Sequence, residues 1–458
     1  MTNPVVAEQR AGPRSTIRWD VVATVLVVLL AGFHGGKLAL TENLHVDLWI
    51  YSSGSWLGFH GLSPYNTERI HDRVAQQYPG DAWLIENSGF FLAPQAMLVF
   101  APFAMLPWVL AKALWCALTI GMTVVAIWQL RRFTITPPSV QFTAVALFVV
   151  MLNPVTLVVL NMGQTPLLIL SLVFLGQWAH SSSWERLGGF LWALAFFKPH
   201  IALPLLVVAW FLSGWRRAAI IAGWGVLLNL LAGVVTVGNP FLLMEFLDNL
   251  RQGHQSVLFN QLLLNSQLTS WNQLVRSSGG PRIELGAMGV LAGYAVWFLL
   301  AVLRVRLRGE RSTASWVLAM AACGMLVCCQ LLAYELPLLL LLLPYIADLL
   351  ASDGRRSRLT VALLVGLTAY TLMGQGPAEP IALALGGAFD QVVASLGMSL
   401  SFTNMMLSHR ALGVCSIACV VLLQGSPRVS PLTNHAVATT HGSSSPPPDR
   451  LEPATSRS

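Results

Sequence analysis

FFLAPQAMLVFAPFAMLP, residues 90–107, is the stretch on which the fold turns. Its composition suits a membrane-crossing helix, yet Pro94 and Pro102 interrupt it. A proline inside a helix removes a backbone donor and collides with the preceding turn. The charges on either side decide how the run is read. Cytoplasmic flanks of membrane helices carry an excess of Lys and Arg. Here the basic groups are Arg10, Arg14 and Arg18, then Arg131 and Arg132, Arg186, Arg216 and Arg217, RVRLRGER from Arg304, and RRSR from Arg355. With all of them in the cytoplasm, crossings fall near 20–39, 108–130, 140–153, 164–180, 185–197, 200–214, 218–237, 286–303, 314–332, 333–349, 359–373 and 405–424. Counting 90–107 as one more would carry Arg131 and Arg132 outside and invert every later cluster. It is therefore expected to lie against, or dip into, the outer face.

Composition agrees. Of 458 residues, 55% are hydrophobic and 10% charged, against roughly 25% charged in soluble domains. Apolar runs long enough for a hydrocarbon core of about 30 Å recur along the chain. The expected fold is all-α: a polytopic membrane helical bundle of about twelve transmembrane helices with outer-face juxtamembrane helices. It forms one domain over 1–424, with outer loops at 41–107, 238–285 and 374–403. The tail 425–458, rich in Ser, Pro and Thr, is expected to be disordered and cytoplasmic. The first apolar stretch shows no convincing cleavage site and reads as an uncleaved span. The net charge of +7 is nearly all arginine between apolar runs, so no nucleic-acid partner is implied. No Walker loop, dinucleotide fingerprint or clustered His/Cys set is present, so no cofactor is expected, with a divalent metal left open.

This topology gathers the unusual polar features on the outer side: HVDLWIYSSGSWLGFHGLSPYN at 45–66, NMGQTP at 161–166, FFKPH at 196–200, the loop 238–285 and QLLAYELP at 330–337. Asp47 follows the first span. If 47–58 is a short interfacial helix, Asp47 and Tyr51 share a face by i, i+4 spacing, with Leu48, Trp49 and Ile50 as anchors at the headgroup level. Read from this segment alone, an anchored general base and a plain loop carboxylate are both open. Lys198 is one of three lysines in the chain. With Pro199 and His200 at a tight interhelical corner, it favours an anion-binding role over simple snorkelling. Gln164, at the head of another span, can bind a sugar or phosphate or cap its helix. Tyr334 and Glu335 begin a very apolar span, and an acid there is a site candidate or half of a buried ion pair. Arg251 and Arg276, in the loop 238–285, can grip phosphate bidentately or be simply solvated.

Taken in order, these residues resemble a known family. Asp47-x-x-x-Tyr51, Gly61-x-x-Pro64-Tyr65, the run APFAMLP at 101–107, Gly163-Gln164, Lys198-Pro199 and Gly-Trp-Arg-Arg at 214–217 are similar to glycosyltransferase family 87, integral-membrane enzymes of the GT-C fold. The resemblance implies transfer of a sugar, such as mannose, from a polyprenyl-phosphate donor to a glycan or glycolipid acceptor. Transfer would proceed with inversion on the outer, periplasmic face of the plasma (inner) membrane. It places the catalytic carboxylate at Asp47. Lys198 and His200, with Arg251 or Arg276, would face the donor phosphate; Gln164 and Tyr51 would position sugar or base, and Tyr334 and Glu335 would serve the acceptor side. A transporter or flippase of lipid-linked saccharide, or a non-catalytic relative, is the alternative, although no internal repeat of the transporter kind is found.

Overall fold

The structure, a computed structural model, describes residues 46–77, 89–255, 287–308, 313–328, 333–352, 354–372 and 408–427, with scattered positions in 21–33 and 383–395. Most of the first expected span, the loop 374–403 and the tail beyond 427 lie outside the described residues.

Among the described residues every regular element is helical. In chain order they are α1 (Val46–Phe59), α2 (Thr67–Gln77), α3 (Ala96–Met105), α4 (Trp108–Trp128), α5 (Val140–Leu152), α6 (Pro154–Met162), α7 (Pro166–Ser181), α8 (Glu185–Leu194), α9 (Pro199–Ser213), α10 (Trp215–Ala232), α11 (Leu242–Gln255), α12 (Ala287–Arg308), α13 (Ala314–Cys328), α14 (Leu343–Ala351), α15 (Arg355–Leu372) and α16 (His409–Gln424). Short 3-10 turns at Ala195–Phe197 and Ala333–Leu342 and a π turn at Gly233–Val237 join some of them.

The longer helices are polarised in the sense suited to lipid. On α4, Lys112, Trp115, Thr119, Thr123 and Ala126 are buried while Leu110, Leu114, Leu118 and Val125 stand exposed. On α10, Arg217, Ile221, Gly225, Leu228 and Ala232 face inward, and Val226, Leu227, Leu230 and Leu231 face outward. An exposed aliphatic stripe opposite a face that buries polar groups is stable where the surroundings are apolar.

Among the described residues, two helices can each cross a membrane by length and hydropathy, Trp108–Trp128 and Trp215–Val237. The bent pair Val140–Met151 and Val155–Met162 makes a third if it counts as one span. The expected twelve crossings are therefore not established by helix length. The run expected at 140–153 forms α5 and ends at Leu152. The chain then turns by 57° at Asn153, whose side chain accepts from the Thr156 amide at 2.8 Å and so caps the next helix, which starts on Pro154. The run at 333–349 begins as a 3-10 helix around Pro337 before becoming α14. The stretch 90–107 supplies α3, ten residues long with Pro102 inside. At about 1.5 Å per residue it covers about half the hydrocarbon thickness, too short to cross.

Helix α1 packs tightly on the segment containing α3. A Cβ on Gly54 would lie 2.3 Å from the Phe90 ring, and one on Gly58 2.3 Å from the Met97 sulfur. This i, i+4 pair of glycines lets α1 sink into the bundle. Leu48, Trp49 and Ile50, expected as headgroup anchors, are accordingly core residues.

Candidate active site

Gly163 ends α6 in the left-handed conformation, φ +72°. The amide of Gly163 donates to Leu160 O at 3.3 Å and that of Gln164 to Val159 O at 2.9 Å, the paired bonds of a Schellman turn. Its lack of a side chain also has a long-range use: a Cβ here would lie 2.6 Å from Leu48 Cβ and 3.1 Å from the Leu48 amide nitrogen. The corner therefore presses against the first turn of α1, and Gln164 is delivered beside Asp47.

Lys198 is held from another direction. It precedes α9, with Pro199 as the first helical residue, and its carbonyl accepts from the amides of Ile201 and Ala202. The segment before α3 braces this corner. The Ala93 amide donates to Phe197 O at 2.9 Å, and Gln95 Nε2 donates to Ala193 O and Leu194 O, both at 3.0 Å, satisfying carbonyls that the end of α8 leaves open. Asn229 on α10 completes the brace, its Nδ2 donating to Gln95 Oε1 at 3.2 Å.

Five side chains expected from the sequence to serve a site meet here: Asp47, Tyr51, Gln164, Lys198 and Glu335. Gln164 is their hub. Its Oε1 accepts from Tyr51 OH at 3.3 Å and from Lys198 Nζ at 3.2 Å. With both lone pairs of that oxygen engaged, the amide NH2 remains for the hydrogen bond to the Asp47 carboxylate. Lys198 Nζ also pairs with Glu335 Oε1 at 2.6 Å. Gln164, Lys198, Tyr51 and Glu335 are all buried. Asp47 is half-buried as a residue, but its Oδ2 is wholly enclosed and has no hydrogen-bond partner among the described residues, and the same holds for Glu335 Oε2.

Burial pushes the Asp47 carboxyl up to about 6 from 3.8; the Gln164 hydrogen bond and the Lys198 charge oppose this, and the Glu335 charge adds to it. A carboxylate raised toward neutrality by burial, beside the Lys198 ammonium, is equipped to accept a proton. Among the described residues no three His, Cys, Asp or Glu side chains converge as a metal site.

The remaining candidates are less central. His200 is exposed at the head of α9, within electrostatic reach of Glu335 and Lys198. Arg251 belongs to α11, but its side chain, like that of Tyr334, is outside the described residues, and Arg276 lies outside them altogether. The loop after α1 is tied to α11 instead through Glu245, whose carboxylate accepts from Ser63 Oγ at 2.7 Å and Asn239 Nδ2 at 2.9 Å. Tyr65 OH donates to Leu92 O at 3.0 Å, and burial beside Glu245 holds its hydroxyl well above the usual tyrosine range. Gln95 and Asn229 do not stand out in the sequence; the one local signal for Gln95 is its place directly after Pro94 at the head of a short apolar run.

The profile of glycosyltransferase family 87 matches residues 90–333, more than half of the chain. Gln164, Lys198 and His200 fall inside the matched stretch, Asp47 and Tyr51 precede it, and Glu335 follows it. No curated protein matches the chain.

Proposed function

The chain belongs to glycosyltransferase family 87, and from that membership we propose that it moves a sugar, a hexose such as mannose, from a polyprenyl-phosphate donor to a hydroxyl of a glycan or glycolipid acceptor. The acceptor oxygen attacks the anomeric carbon from the face opposite the phosphate. The new C–O bond forms as the C–O bond to phosphate breaks, which inverts the centre. The acceptor proton passes to Asp47, and the polyprenyl phosphate leaves with the bonding pair. Lys198, with His200 at the same corner, neutralises the charge that develops on the leaving phosphate; Arg251 and Arg276 are further candidates for gripping it.

The observation that carries this reading is the Gln164 hub. It links a carboxylate whose Oδ2 is buried without a partner among the described residues to a buried ammonium through two hydrogen bonds. The proposed base and the proposed phosphate cation thus share one amide as neighbour, the proximity on which a displacement at one carbon draws. Tyr51 fixes the amide orientation by donating to the same oxygen. Glu335 holds Lys198 in place through Oε1.

The location also supports it. Gln164 and Lys198 sit at the ends of α7 and α9 away from Arg186, Arg216 and Arg217. If those arginines are cytoplasmic, the site faces the outer leaflet of the plasma membrane, where lipid-linked sugars, not nucleotide sugars, are the available donors.

Purified protein incubated with a panel of isotopically labelled polyprenyl-phosphate sugars and of nucleotide sugars, with a glycolipid extract as acceptor, tests this by mass spectrometry. Label is expected in the acceptor from a lipid-linked donor only. Transfer from a nucleotide sugar alone, or movement of the donor across vesicles without transfer, would overturn it.

A further inference from the structure

Helices α7, α8 and α9 run between two polar clusters. Gln164 and Lys198 stand at one end; His180, Glu185 and Arg217 stand at the other. The 16 residues of α7 and 15 of α9 separate the clusters by about 22–24 Å at about 1.5 Å per residue. That approaches the roughly 30 Å of a hydrocarbon core, so the second cluster lies near the opposite headgroup level.

Arg217 is 2% exposed, and its guanidinium lies over the Trp192 ring at 5.1 Å. One nitrogen donates to Ser213 Oγ at 2.7 Å. The other two, Nε and Nη2, are buried with no acceptor among the described residues. His180 Nδ1 is likewise buried and unpartnered. Its helix meets α8 so closely that a Cβ on Gly188 would lie 3.2 Å from His180 Cβ, while α8 also carries Trp192 beneath the guanidinium. Glu185 acts on both His180 and Arg217 through space, without an ion pair to either among the described residues. Around this cluster the surface is basic and aromatic: Arg186 and Arg216 are exposed, as are Trp184 and Trp215.

Buried donors without acceptors are unfavourable and rare in folded chains. The free Nε–Nη2 edge of a guanidinium matches two phosphate oxygens. Exposed indoles favour the membrane–water boundary, and cations there attract acidic lipids. We propose that this end of the bundle binds the phosphate of an anionic membrane lipid. Arg217 grips it through Nε and Nη2 and His180 supplies a further hydrogen bond. Arg186 and Arg216 attract the headgroup, and Trp184 and Trp215 flank the glycerol region. This site is separate from the sugar-transfer site and does not depend on that activity.

The test uses full-length protein in detergent, exposed to mixed micelles of phosphatidylcholine with or without phosphatidylglycerol, or to inorganic phosphate alone. Native mass spectrometry reads the lipid retained, and thermal melting reads the stabilisation. Phosphatidylglycerol is expected to be retained about tenfold over phosphatidylcholine and to raise the melting temperature, with no effect of inorganic phosphate. Arg217→Gln is expected to abolish the preference; should it not fold, Arg217→Lys keeps the charge, loses the two-nitrogen edge, and is expected to lose most of it. Equal retention of the two lipids by the unaltered protein, or a full preference in a folded variant, overturns the proposal. Equal stabilisation by inorganic phosphate overturns it too, and marks a site for a free anion.

Discussion

Lys198 and Glu335 form a buried ion pair, Nζ to Oε1 at 2.6 Å, with side chains 6% and 2% exposed. Removing one partner of such a pair leaves an uncompensated charge and costs about 3–5 kcal/mol. Glu335→Leu and Lys198→Met are each expected to lower the melting temperature of the purified protein sharply. The double variant Lys198→Met with Glu335→Leu, which leaves neither charge behind, is expected to lie closer to the unaltered protein than either single variant. Additive losses in the double variant would show that the two side chains do not interact.

Asp47 sets opposite pH dependences for rate and stability. As the proposed base it acts ionised, so sugar transfer is expected to rise with pH through about 6, the value to which burial pushes its carboxyl. A carboxyl whose value is raised on folding favours the folded state while protonated. Its contribution is full below 3.8 and is lost as pH rises through about 6. Rate and melting temperature, followed between pH 4 and pH 7, are expected to diverge, and Asp47→Asn is expected to remove Asp47's share of the stability trend.

Gln164 lowers the Asp47 value through its hydrogen bond. Gln164→Leu is therefore expected to move the acidic limb of the rate profile above 6 as well as to reduce the rate. A limb unmoved or shifted downward in a folded variant would show that the amide does not hold the carboxylate.

Gly163→Ala combines two penalties. A left-handed non-glycine residue costs about 1–2 kcal/mol, and the new methyl would meet Leu48 at 2.6 Å, displacing the first turn of α1 that carries Asp47. Gly238 has φ +76° and nothing within 4 Å of the place a methyl would take, so Gly238→Ala isolates the backbone cost. Chemical denaturation is expected to show the larger loss for Gly163→Ala, and only that variant is expected to lose transfer activity beyond its loss of folded protein.

The site is more legible in the sequence than the helix geometry around it. Asp47, Gln164, Lys198 and Glu335 stand out because charged and amide groups beside apolar runs need partners, and a solitary lysine at Lys-Pro-His draws attention to its corner. The pairing is not legible there, since Gly163 meets Leu48, and Gln95 meets Asn229, across more than a hundred residues each. Helix length is also obscured where hydropathy runs on unchanged. Asn153-Pro154 and Pro337 break runs whose apolar character continues on both sides, and the signals for those breaks are a cap and a ring, which hydropathy does not register. Leu48, Trp49 and Ile50 have the composition of surface anchors, yet they are core, because the space opened by Gly54 and Gly58 is a property of two packed segments together.

The most direct measurement is sugar transfer by purified, folded Asp47→Asn protein supplied with a polyprenyl-phosphate sugar and acceptor. The substitution keeps the side chain's size and removes the proposed base. A fall of about 10²–10⁴-fold in turnover, with donor binding retained, is expected; transfer at close to the unaltered rate would contradict the assignment of Asp47 as the base.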